Sequence, residues 1–125
     1  MKYFLDRKKE KALKRLIEPK VNGLKLIQNE FNTYQNHAFC ERPPNFFSLE
    51  LCGEAGELAN LEKKIWRDPS NLTPHETIPD EAADVFIALM NYCNARNLDL
   101  EEAVQIKLKK IEDKRLKGLM GKIKE

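Results

Sequence analysis

Histidine is nearly absent from this 125-residue chain: His37 and His75 are the only two, and neither stands at metal-ligand spacing from the other or from a cysteine. The residues therefore do not support a histidine-based zinc site or a histidine-activated nucleophile. Three cysteines, Cys40, Cys52 and Cys93, make an odd number with no CxxC pair. That argues against a disulfide framework and predicts buried free thiols in a reducing, cytoplasmic compartment. No run approaches the roughly eighteen to twenty apolar residues of a membrane span, and the N-terminus reaches Lys8, Lys9 and Lys11 without an apolar stretch. No membrane partner is expected. Glycine is scarce and β-branched residues rarely alternate with polar ones, which disfavours a sheet.

What the chain does contain is Leu, Lys, Glu and Ala, the composition of helices. At 14.6 kDa there is room for one domain of common size. Residues 1–20 carry eight Lys/Arg against three Asp/Glu, residues 107–125 carry the same, and the 86 residues between hold six against fourteen. The ends are thus +5 each and the centre is −8. Prolines punctuate the helices. A basic helix is predicted over approximately residues 4–18, ending at Pro19. A second runs from about Leu24 to Phe39, with Leu24, Ile27, Phe31, Tyr34 and Ala38 at helical steps. After Pro43 and Pro44, Asn45 or Ser48 is expected to cap a third helix reaching about Arg67. A proline-rich loop from Asp68 leads to Pro79 in the first turn of a fourth, which presents Ala82, Val85, Phe86, Leu89 and Cys93 on one face and ends at Asn97. Asp99 caps a fifth, which buries Leu100, Val104, Leu108 and Ile111, and Gly118 marks its end. The expected fold is all-α: four core helices in a bundle-like arrangement, residues 21–125, behind an N-terminal basic extension, residues 1–20.

The chemistry concentrates in the acidic centre. Glu50, Glu54 and Glu57 fall at i, i+4 and i+7, one stripe of a helix, where like charges repel. Glu81 and Asp84 share a face of the next long helix, and Asn91 continues that stripe. If the two helices pack antiparallel, Glu54, Glu57, Glu81 and Asp84 meet, and such oxygen density suits Mg²⁺ or Mn²⁺. Gly53 and Gly56 each cost about 1 kcal/mol in a helix interior relative to alanine, which predicts close approach of a neighbour or a ligand. Lys64 lies in line with the acidic stripe and Arg67 one turn beyond, where either could hold a phosphate. Tyr34, Phe46, Phe47 and Trp66 read as core rather than as stacking platforms.

The segment Leu49-Glu50-Leu51-Cys52-Gly53-Glu54-Ala55-Gly56-Glu57-Leu58, followed by Glu81-Ala82-Ala83-Asp84-Val85, resembles the ExxE and ExxD motifs of the MazG-like, all-α nucleoside triphosphate pyrophosphohydrolases. The resemblance spans roughly residues 24–116. It implies Mg²⁺-dependent cleavage of (deoxy)nucleoside triphosphates between the α and β phosphates, in the service of nucleotide housekeeping, with Glu54, Glu57, Glu81 and Asp84 as metal ligands. It further implies a homodimer or homotetramer, and Lys and Arg on the last core helix holding the triphosphate, for which Lys107, Lys110, Lys114 and Arg115 compete. Where many members carry a further glutamate just before the first motif residue, this chain has Gly53. Glu50, outside the motif, is expected to act as a base or to support the ligands. The alternative is a non-catalytic helical module whose basic ends bind nucleic acid or a protein. The acids interleaved at those ends (Asp6, Glu10, Glu18, Glu112, Asp113) weaken the nucleic-acid case.

Overall fold

The computed structural model describes residues 7–9, 22–70 and 77–119. Residues 7–9 are helical; the rest of the predicted basic helix and the 71–76 stretch of the proline-rich loop, with His75, lie outside the described residues. The described chain forms four longer helices, α1 (Leu24–Ala38), α2 (Pro44–Arg67), α3 (Ile78–Ala95) and α4 (Leu100–Leu116), and no strand. None of these helices is long and apolar enough to cross a membrane.

The helix ends follow from local chemistry. Pro44 and Pro79 occupy first turns of α2 and α3, where a missing backbone N–H leaves no acceptor unpaired. Pro43 precedes α2 without a side-chain cap; Ser48 instead gives its hydroxyl to the carbonyl of Asn45. The expected Asn45 or Ser48 cap is thus replaced by a proline start. Asn97 takes a left-handed φ of 53° to turn the chain out of α3. Two residues on, the Asp99 carboxylate accepts the Glu102 backbone N–H at 3.1 Å and opens α4, the cap that the spacing predicts.

Gln28–Leu98 form one compact unit; the flanking chain, up to Ile27 and from Asp99, forms the other. In the flanking unit, Glu101 accepts the backbone N–H groups of Gly23 and Lys25, and the Lys25 ammonium lies 3.3 Å from Asp99. Leu100, Val104 and Leu108 are half-buried there, and Ile111 is exposed.

In the Gln28–Leu98 unit, α2 and α3 pack antiparallel, with Phe47, Leu61, Ala88, Met90 and Cys93 buried. Two polar side chains are buried with them. Gln28 donates to the Leu98 carbonyl at 2.6 Å, and Asn94 donates to the Gln28 carbonyl at 3.1 Å. These bonds fasten α1 to the far end of α3 and explain why Gln28 is inside. The apolar positions predicted to face the core of α1, Ile27 and Tyr34, are 48% and 57% exposed. Of the three free cysteines, Cys93 is buried, while Cys40 and Cys52 are exposed rather than in a core. Gly53 and Gly56 meet nothing within 4 Å beyond their own helix, so the close approach expected of them is absent among the described residues.

Candidate metal centre

Antiparallel packing of α2 on α3 brings the two acidic stripes together. Glu54, Glu57 and Glu81 each offer an oxygen, and the three oxygens lie within 4.8 Å of one another. Glu54, Glu81 and Asp84 are half-buried, and Glu57 is exposed. One oxygen each of Glu54 and Glu81, Oε2 in both, is buried and meets no N–H or hydroxyl donor, and each carboxyl lies within hydrogen-bonding reach of the Glu57 carboxyl, a contact that favours holding a proton. Burial raises the Glu54 carboxyl above the ordinary carboxylate range, and the charges of Glu57, Asp84 and Glu81 push it further. Glu81 is raised in the same way, first by burial and then by Glu57, Asp84 and Asp80. Asp84 thus belongs to the cluster through its field, though outside the three-oxygen group.

The donor set is all carboxylate. Oxygen ligands in this number fit a hard divalent cation such as Mg²⁺ or Mn²⁺, and among the described residues the group includes no histidine or cysteine that would favour zinc. The orphaned oxygens of Glu54 and Glu81 are what a cation or a proton would satisfy.

Two cavities open on the side of the cluster toward the start of α2. One, about 750 Å³, has aromatic walls from Phe31, Tyr34, Phe39 and Phe46, with Glu50 and Asn91. The other, about 580 Å³, is lined by carboxamides, among them Asn32, Gln35, Asn36, Asn91 and Asn94. Gln35, Cys40, Arg42, Phe47 and Asn91 border both. The Phe31 and Tyr34 rings lie 5.9 Å apart, Tyr34 and Phe39 6.1 Å, and the Arg42 guanidinium sits 4.8 Å from the centre of the Phe46 ring. Asn91, 6% exposed, gives its Nδ2 to Gln35 Oε1 at 3.4 Å and leaves Oδ1 without a partner.

The predicted site residues therefore divide by position. Glu54, Glu57, Glu81 and Asp84 converge. Glu50 does not join them; it stands one turn away in the aromatic cavity wall. Asn91 stands about 10 Å along α3 from Asp84, in the same cavity. Lys64 and Arg67 are exposed on the last turns of α2, on the opposite side of the cluster from the cavities. Lys107, Lys110 and Arg115 belong to α4, in the other compact unit, where Arg115 is hydrogen-bonded twice to Glu112. Of the aromatic residues predicted to be core, only Phe47 is buried; Tyr34 is 57% and Trp66 81% exposed. Gln35 and Arg42, which border both cavities, were not legible as site residues, because neither sits at a motif spacing.

No family model and no solved structure matches the chain. Among curated proteins, 79 residues are 30% identical to the Gene 37 protein of Mycobacterium phage L5, covering 61% of this chain and 69% of that protein. That name states no activity. On this match the chain belongs to the family of the phage L5 Gene 37 protein.

Proposed function

We propose that the chain is a divalent-cation-dependent pyrophosphohydrolase that cleaves (deoxy)nucleoside triphosphates between the α and β phosphates, releasing a monophosphate and pyrophosphate. The observation that carries this reading is the pair of buried, unpartnered carboxylate oxygens of Glu54 and Glu81 inside a group of four acids. Left as it is, that group repels itself; a cation relieves it. Glu54, Glu57, Glu81 and Asp84 are the residues that would hold Mg²⁺ or Mn²⁺, which supplies charge neutralisation at phosphate oxygens and a more acidic bound water.

The order of groups along α2 and α3 supports the substrate class. The aromatic cavity, the acidic cluster and the Lys64/Arg67 pair follow one another, matching a molecule with an aromatic base at one end and a polyanion at the other. Aromatic walls offer stacking surface to the base. Arg67 and Lys64, about 10–15 Å beyond the cluster along the helix, bring positive charge to the terminal phosphates. Leu49 and Trp66, 73% and 81% exposed on α2, support assembly as a homodimer or homotetramer that covers them.

The test is pyrophosphate release from a panel of canonical (d)NTPs in Mg²⁺. Turnover is expected with the intact chain and lost in Glu57→Gln and Asp84→Asn, with the helical circular dichroism unchanged. Absence of pyrophosphate from every nucleotide refutes the activity.

A further inference from the structure

We propose that the outward face of α4 is a docking surface for the phosphate backbone of duplex nucleic acid. Acids interleaved with lysines in a sequence oppose such a partner only where they share its face of the helix.

At about 100° per residue, Lys107, Lys110 and Lys114 fall within about 60° of one another, and Lys117, at the C-terminal end of the helix, continues the stripe to a length of about 15 Å. All four are exposed, and none forms an ion pair among the described residues. Glu101, Val104, Leu108, Glu112 and Arg115 make up the opposite, half-buried face. The two acids of that face are already engaged. Glu101 accepts the backbone N–H groups of Gly23 and Lys25, and Glu112 pairs with the Arg115 guanidinium, which holds its carboxyl below the ordinary range. Between Lys107 and Lys117, Asp113 alone borders the stripe.

The charge that α4 turns outward is thus lysine: compact charges on flexible stems, which suit phosphates and ask for no fixed ligand geometry. Duplex DNA carries one charge per about 1.7 Å of its axis, roughly nine over the length of the stripe. A single strand fits less well, because α4 has no aromatic residue on which an unpaired base could stack. A membrane surface also fits less well, since the outward face offers it only isolated isoleucines, Ile106 and Ile111, in place of a continuous apolar face. Phosphate contacts carry no sequence information, so duplexes of different sequence should bind alike.

The test is fluorescence anisotropy of a labelled duplex of about 20 base pairs with the intact chain in EDTA, between about 50 and 200 mM NaCl. Four phosphates neutralised by the stripe should contribute about −3.6 to the slope of log affinity against log salt, a loss of roughly 150-fold across that range. Lys110→Gln should reduce the slope by about 1, and Lys110→Gln combined with Lys114→Gln by about 2. Lys63→Gln, at an exposed position on α2, should leave it unchanged. No binding at the lowest salt, or a slope that the α4 variants do not change, overturns the assignment. Tighter binding of a single strand of the same length overturns it as well, as does binding to phosphatidylserine vesicles without binding to the duplex.

Discussion

Replacing Glu54 by Gln removes one charge from a cluster whose members repel each other, and it separates the stability of the protein from its response to metal. The three facing oxygens lie within 4.8 Å, where like charges in water-like surroundings cost about 1 kcal/mol per pair before salt reduces it. Glutamine keeps the shape and offers an N–H to a neighbouring carboxylate. Glu54→Gln is therefore expected to stabilise the metal-free protein by about 1 kcal/mol, which for a domain of this size raises Tm by roughly 3 °C. The sign with pH is fixed by the raised carboxyl of Glu54. The folded state holds that proton to a higher pH than the unfolded chain does. The cluster is least costly below the ordinary carboxylate range, and stability is lost as pH rises through the raised value. The advantage of Glu54→Gln should accordingly be full above the raised value and vanish below the ordinary carboxylate range. With Mg²⁺ at ten times its Kd, the wild type should gain about 1.4 kcal/mol. The variant, missing a ligand, should gain far less, so that the order of the two Tm values reverses between EDTA and Mg²⁺. Thermal melts followed by circular dichroism at matched ionic strength read all of this. A variant that melts below the wild type in EDTA, or an equal Mg²⁺ shift in both proteins, refutes the reasoning.

Two further outcomes follow from packing. Gly53→Ala and Gly56→Ala place a methyl group where nothing lies within 4 Å, so each should raise Tm by roughly 2–4 °C through helix propensity alone; light scattering on the same variants shows whether that face is shared with another copy, in which case the assembled mass falls. Gln28→Ala removes the donor to the Leu98 carbonyl and leaves a hole between α1 and α3, with an expected cost of about 2 kcal/mol in urea denaturation.

Two helix starts were legible because a proline and an aspartate write them: Pro79 and Asp99 each act by a mechanism that needs only neighbouring residues, whereas Pro44, read as part of a break before an Asn45 or Ser48 cap, is itself the first residue of α2. The convergence of Glu54, Glu57 and Glu81 was legible for a similar reason, since two stripes of like charge on consecutive helices have few arrangements other than facing each other or facing water. Burial was much less so. Periodicity sees residue type, and so it put Ile27 and Tyr34 inside, whereas Gln28 is there because a carbonyl at the end of α3 is within reach of its amide. Asn91 and Gln35 are likewise a partnership between residues 56 positions apart, which no local pattern encodes. The glycines misled for the opposite reason: their cost is local, but the described residues contain no neighbour that explains it.

Glu81 stands in the first turn of α3, whereas Glu54 and Glu57 stand mid-way along α2. The free N–H groups at a helix start favour negative charge, so α3 offsets part of its own share of the repulsion and α2 has no such relief. The two halves of the cluster are therefore unequal hosts. Neutralising a carboxylate on α2 relieves the fold without loss elsewhere, while neutralising Glu81 also gives up a favourable helix start. A site assembled from one tolerant and one intolerant helix distributes its mutational freedom unevenly: without a cation, α2 gains stability from dropping a charge, whereas α3 gives up part of its helix start.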